Sequence, residues 1–142
     1  MRKSLVLEAL ILYGVMAVLL VGLVQATYMQ DEDTKTGTYT RAKSFVSADF
    51  VGGKLHYPFF RSRASGSTPG KLIMEFYWIT WPGGIWEHLI AFDDDGDDSI
   101  MIEDNYLGEP VQILCRTRAG YEENGNYTWD TGWAEAAIPL TP

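Results

Sequence analysis

Two rhythms divide the chain. From Ala9 to Ala26 the residues are almost continuously apolar, 18 positions with Arg2 and Lys3 before them and Asp31, Glu32 and Asp33 after them. Beyond that boundary, short stretches of aromatic and β-branched residues alternate with polar ones and are separated by turn-forming residues. The first rhythm is that of a lipid-spanning helix, the second that of half-buried strands.

Seven strand runs follow from the alternation: Tyr39 to Phe50, Leu55 to Phe60, Leu72 to Trp81, Ile85 to Phe92, Ser99 to Ile102, Val111 to Thr117 and Tyr127 to Ala137. Pro82-Gly83-Gly84 and Asp95-Gly96 supply the backbone freedom of tight reversals, and Leu107 to Pro110 and Glu123 to Asn126 make two further turns. Consecutive strands joined by short turns pair antiparallel. Arg61 to Gly70 reads as the longest loop and as a crossing between sheets. The pattern predicts an all-β domain, an antiparallel β-sandwich immunoglobulin-like in general architecture, with an open barrel as the alternative. The expected organisation is a transmembrane helix over residues 1–29, a polar stem over 30–37 and one β-domain over 38–142.

As a helix, the apolar run would be about 27 Å long, enough to cross the hydrocarbon of a bilayer once. Arg2 and Lys3 ahead of it keep the N-terminus cytoplasmic, so the β-domain is expected in a periplasm or at the cell exterior, on a single-pass membrane anchor. Gly14, Gly22 and Ala26 offer small surfaces on which a neighbouring helix can pack. Ser4-Leu-Val-Leu-Glu8-Ala-Leu-Ile-Leu-Tyr13 resembles the N-terminus of a type IV pilin, with Lys3 where that family has glycine. The resemblance implies a filament subunit whose hydrophobic helix lies in the filament core.

Charge narrows the partners. The segment after Ala26 carries 9 basic and 18 acidic residues, a net of −9, which disfavours nucleic acid and nonspecific adhesion to anionic lipid. The expected partners are the lipid bilayer, through the N-terminal helix, and other membrane or filament subunits.

Little in the chain suggests bond-making chemistry. Asp93, Asp95 and Asp97 lie on one turn where a calcium ion would relieve repulsion, but no EF-hand spacing surrounds them. His56, His88 and Cys115 fall in separate strand runs, too few and too scattered for a zinc site. Cys115 alternates with Val111 and Ile113 and is expected on a buried face. No Gly-x-Ser-x-Gly elbow occurs. The expectation is a protein that is not an enzyme and holds no cofactor, calcium aside.

Aromatic residues are the remaining resource. The chain has five tryptophans, and in Glu75 to Trp81 period two places bulky residues on both faces of a strand. One face must fill the core, which leaves Tyr77 and Trp81, together with Trp129 and Trp133, as candidate binding residues. The first expectation is a structural or accessory subunit of a membrane assembly that docks through this aromatic domain. The pilin-like filament subunit is the second, and a tethered or secreted carbohydrate-binding sandwich the third.

Overall fold

The computed structural model describes residues 26–93 and 99–138. The strands are β1 (Thr27–Thr36), β2 (Thr40–Val51), β3 (Lys54–Gly66), β4 (Lys71–Trp81), β5 (Gly84–Phe92), β6 (Ser99–Asn105), β7 (Gln112–Glu123), β8 (Asn126–Trp129) and β9 (Ala134–Ile138). They form two antiparallel sheets, one ordered β1-β2-β3-β6 and the other β5-β4-β7, with β8 and β9 both paired to β7. The two-sheet architecture is the expected sandwich. Its first three strands run as a meander, unlike the A-B-E-D sheet order of an immunoglobulin constant domain.

Alternation sets which side chains enter. In β2, Ala42, Ser44 and Val46 point inward, and in β7, Ile113, Cys115, Thr117 and Ala119 do. The core is graded in size. Where β2 and β3 face β7 and β9 it is built from Ala42, Ala64, Ala134 and Ala136, and small side chains let the sheets approach closely. Toward β4 and β6 the sheets separate and Phe60, Phe76 and Trp78 fill the gap, each fully buried aromatic contributing about 2–3 kcal/mol. At the centre, Ser62 Oγ accepts from Trp78 Nε1–H (3.1 Å) and Thr117 Oγ1–H (2.9 Å), and Cys115 Sγ–H donates to the Arg61 carbonyl (3.5 Å). Buried polar atoms partnered in this way carry little desolvation penalty.

The long sides of the sandwich differ. On one, β9 would present free N–H groups, and two acids of β1 accept them: Asp33 Oδ2 from Glu135 N–H and Asp31 Oδ2 from Ala137 N–H, both at 2.9 Å. The Glu135 bond is the main reason the Asp33 carboxyl is held below the ordinary aspartate range, with Lys35 adding to it. On the other side, edge strands β5 and β6 stand apart and leave a cleft.

Three sequence expectations change. Residues 27–36, divided in expectation between the end of the helix and a polar stem, form β1, because pairing with β2 along the whole segment compensates for its few apolar side chains. Most of the expected loop from Arg61 belongs to β3: Ser62 and Ala64 point into the core, Arg61 and Arg63 point out, and only residues 67–70 cross between sheets. The expected strand from Tyr127 to Ala137 is two strands, parted at Asp130. The expected anchor and the pilin-like N-terminus lie outside the described residues, as do Gly14 and Gly22, whereas Ala26 stands exposed directly ahead of β1. Among the described residues no helix is long and apolar enough to cross a membrane.

Candidate functional site

Register brings scattered residues together on the outer face of the β4-β7-β9 sheet. Across β4 and β7, Glu75 lies opposite Arg118, Tyr77 opposite Arg116 and Ile79 opposite Leu114, and β9 adds Glu135 beside Arg116. All point outward, because Phe76, Trp78, Cys115 and Thr117 between them point into the core.

Aromatic and guanidinium groups interleave here. The Arg118 guanidinium lies 4.0 Å from the Trp129 ring centroid and 4.6 Å from that of Trp133, and the Arg116 guanidinium lies 4.4 Å from Trp133. Tyr77 meets the Trp133 ring edge-on at 5.4 Å. Charge is balanced locally. Glu75, only 7 % exposed, accepts from Arg118 Nε–H at 2.7 Å and from the Tyr77 hydroxyl at 2.8 Å, and Arg116 pairs with Glu135 at 2.8 Å. The Tyr77–Glu75 hydrogen bond, with burial, pushes the phenol above its ordinary value, so Tyr77 stays a donor throughout the neutral range. Such rings and cations attract by about 1–2 kcal/mol per contact when partly desolvated.

Asp130 holds the tryptophan-bearing loop in place. Its carboxylate accepts from the N–H groups of Thr38 (3.1 Å), Tyr39 (2.8 Å) and Thr40 (2.7 Å) and from Thr40 Oγ1–H (2.8 Å), tying the β1-β2 turn to the opposite sheet. Thr131 Oγ1 accepts from Ala119 N–H at 2.9 Å, so the loop also crosses over β7. Burial alone would raise the Asp130 carboxyl, and the four hydrogen bonds outweigh it, so it sits below the ordinary aspartate value. This tie ends β8 and starts β9, and it sets both Trp129 and Trp133 against Arg118.

Of the four aromatic candidates, Tyr77, Trp129 and Trp133 converge, and Trp81 does not. Trp81 lies at the β4-β5 turn and is 63 % exposed. Glu75, Arg116, Arg118 and Asp130 were missed in the sequence. For the arginines a signal existed, since they alternate with Cys115 and Thr117 and must share the face opposite to them.

A second concavity lies between β5 and β6, a half-open cleft of about 620 Å³. Its floor is the stacked pair Phe60 and Trp78, 5.5 Å apart, and its walls are Trp86 and Tyr106, edge to face at 5.9 Å. A side chain at Gly108 or Gly83 would collide with the Tyr106 ring or its hydroxyl, so glycine is what lets that ring stand where it does. For calcium, Asp95 and Asp97 lie outside the described residues. Asp93 gives its backbone N–H to the Leu72 carbonyl at 3.3 Å. Among the described residues no three histidine, cysteine or acidic side chains are grouped to hold a metal ion. No protein-family model, curated protein or solved structure matches this chain, so what these surfaces do is read from their own geometry.

Proposed function

We propose that the protein is a non-enzymatic accessory subunit of a membrane assembly, tethered by its N-terminal apolar segment, that docks a protein partner on the outer face of the β4-β7-β9 sheet. One observation carries the reading. Two tryptophans, one tyrosine and two arginines, the residue types that dominate protein-binding hot spots, are interlocked on one half-exposed sheet face and bordered by Ile79 and Leu114. Because Arg116 is paired with Glu135 and Arg118 with Glu75, docking would desolvate neither guanidinium unpaired and would order few side chains. The sugar-binding alternative is less well supported, since Trp129 and Trp133 already carry guanidinium groups against their rings.

The test spares the interlocked residues. Ile79→Glu and Leu114→Glu put new charge beside them at partly exposed positions, and the full-length chain is then isolated from its native membrane by mild solubilisation. The expected result is loss of the copurifying partner with an unchanged melting temperature. Retention of the partner by both folded variants would overturn the reading.

A further inference from the structure

β1 begins at Thr27, immediately after the apolar segment, and Thr27 pairs with Phe50 at the end of β2. The same end of the sandwich holds the β2-β3 turn, the β4-β5 turn and the β6-β7 connection. The last is fixed there by Leu55 N–H to the Pro110 carbonyl (2.7 Å) and Val111 N–H to the Trp81 carbonyl (2.8 Å). This is the proximal end. Among the described residues, most of the exposed large apolar side chains gather there: Tyr28, Tyr57, Trp81, Ile85, Trp86 and Leu107, with Leu107 99 % and Tyr57 80 % exposed.

Tyr57 has φ of 54°, a left-handed conformation that costs a residue other than glycine about 1–2 kcal/mol. It occurs at a bulge, between the Asp49–His56 and Ser47–Phe59 pairs, and leaves the ring in solvent. Strain of this kind persists where the surrounding structure fixes it, here the bulge and the buried Pro58 that follows.

The six residues do not form one patch. Tyr28 and Tyr57 belong to the β1-β2-β3-β6 sheet, Trp81 and Ile85 lie at the end of the other, and Trp86 and Leu107 line the cleft between them. A rigid partner on one face would leave the rest bare, whereas a surrounding medium at one level reaches them all. In strand positions they lie within about 10 Å of the end, comparable with the headgroup layer that separates water from hydrocarbon. Tryptophan and tyrosine concentrate in that layer because their rings are amphipathic.

We infer that the proximal end is a lipid-contacting collar: its aromatic rings rest in the zwitterionic headgroup layer at the foot of the anchor, holding the domain upright on the bilayer. The inference rests on the reading of residues 9–26 as a membrane anchor. Glu87, Asp104 and Glu109 among the rings suit a zwitterionic surface better than an anionic one.

The test uses the full-length chain in phosphatidylcholine vesicles, with an environment-sensitive fluorophore on Leu107→Cys or, at the distal β7-β8 turn, on Glu123→Cys; the native Cys115 is buried. The expected result is a blue-shifted Leu107 label quenched by headgroup-level spin-labelled lipid and a water-like Glu123 label. Adding Trp81→Glu and Trp86→Glu should remove the Leu107 shift while the chain stays with the vesicles. Vesicle-bound protein with water-like labels at both positions would overturn the collar and leave the anchor standing. A chain that does not enter vesicles at all would overturn the anchor and the collar with it.

Discussion

Trp133, in the loop just ahead of β9, and Trp81, at the end of β4, meet opposite surroundings. Around Trp133 each ring has a cation or another ring against it, and each cation has an acid. Trp81, Trp86 and Leu107 at the proximal end are instead exposed over half or more of their surface. Counting tryptophans therefore says little about how they act. The first set stabilises the fold and presents a rigid surface; the second contributes little to the fold and is open to a partner of another phase. The contrast is also what divides the two proposals, protein docking resting on the first set and lipid contact on the second.

The contrast breaks most readily at Arg118. Arg118→Ala leaves Glu75 buried without its cation and removes the group that both Trp129 and Trp133 pack against, so a loss of about 3 kcal/mol is expected from urea unfolding, at the low end for a buried pair because Arg118 keeps some exposure. Arg118→Lys should recover part of it, since a point charge replaces a stacked plane. Asp130→Ala should cost about 2 kcal/mol by freeing the tryptophan loop, less than the sum of its hydrogen bonds because water replaces some of them. An unchanged unfolding midpoint in that variant would show that the loop is held by its rings alone.

Acid sharpens the comparison further. Asp33 and Asp130 titrate below the ordinary aspartate range in the folded chain, so their contribution is complete above about pH 4 and is lost as pH falls through their folded values. The double variant Asp33→Asn with Asp130→Asn should flatten the acid limb of the stability profile, and an identical limb would remove this account. Asp33→Ala by itself should cost about 1 kcal/mol, one accepted backbone bond on the closed side. The smallest effect belongs to the proximal end. Trp81→Ser should change unfolding free energy by less than about 0.5 kcal/mol, and a much larger loss would mean the ring is part of the fold after all.

Much of this fold was legible where alternation was strong. The strands β2, β4 and β7 follow from their runs of β-branched and aromatic residues, and the turns at Gly83 and Gly125 from glycine chemistry. β1 was invisible because Gln30 to Lys35 are all polar; it is a strand because β2 offers it a pairing edge and β9 offers donors to Asp31 and Asp33. The tail of β3 hid for a related reason, since Ser62 and Ala64 are core residues only where the opposite sheet approaches closely. In the candidate site, Tyr77, Trp129 and Trp133 were visible as aromatics, but the acids and cations that make them one surface were not.

By itself the sequence determined that an apolar, lipid-length segment precedes an acidic all-β domain rich in tryptophan, because periodicity, charge and composition are local properties of the chain. Tertiary structure alone decided which tryptophans stack on arginine, which stay bare and at which end the apolar segment joins. Those outcomes depend on strand register, on hydrogen bonds between residues up to 106 positions apart and on where Asp130 turns the chain, and contacts at such separation are a property of the packed sheets that no local pattern encodes.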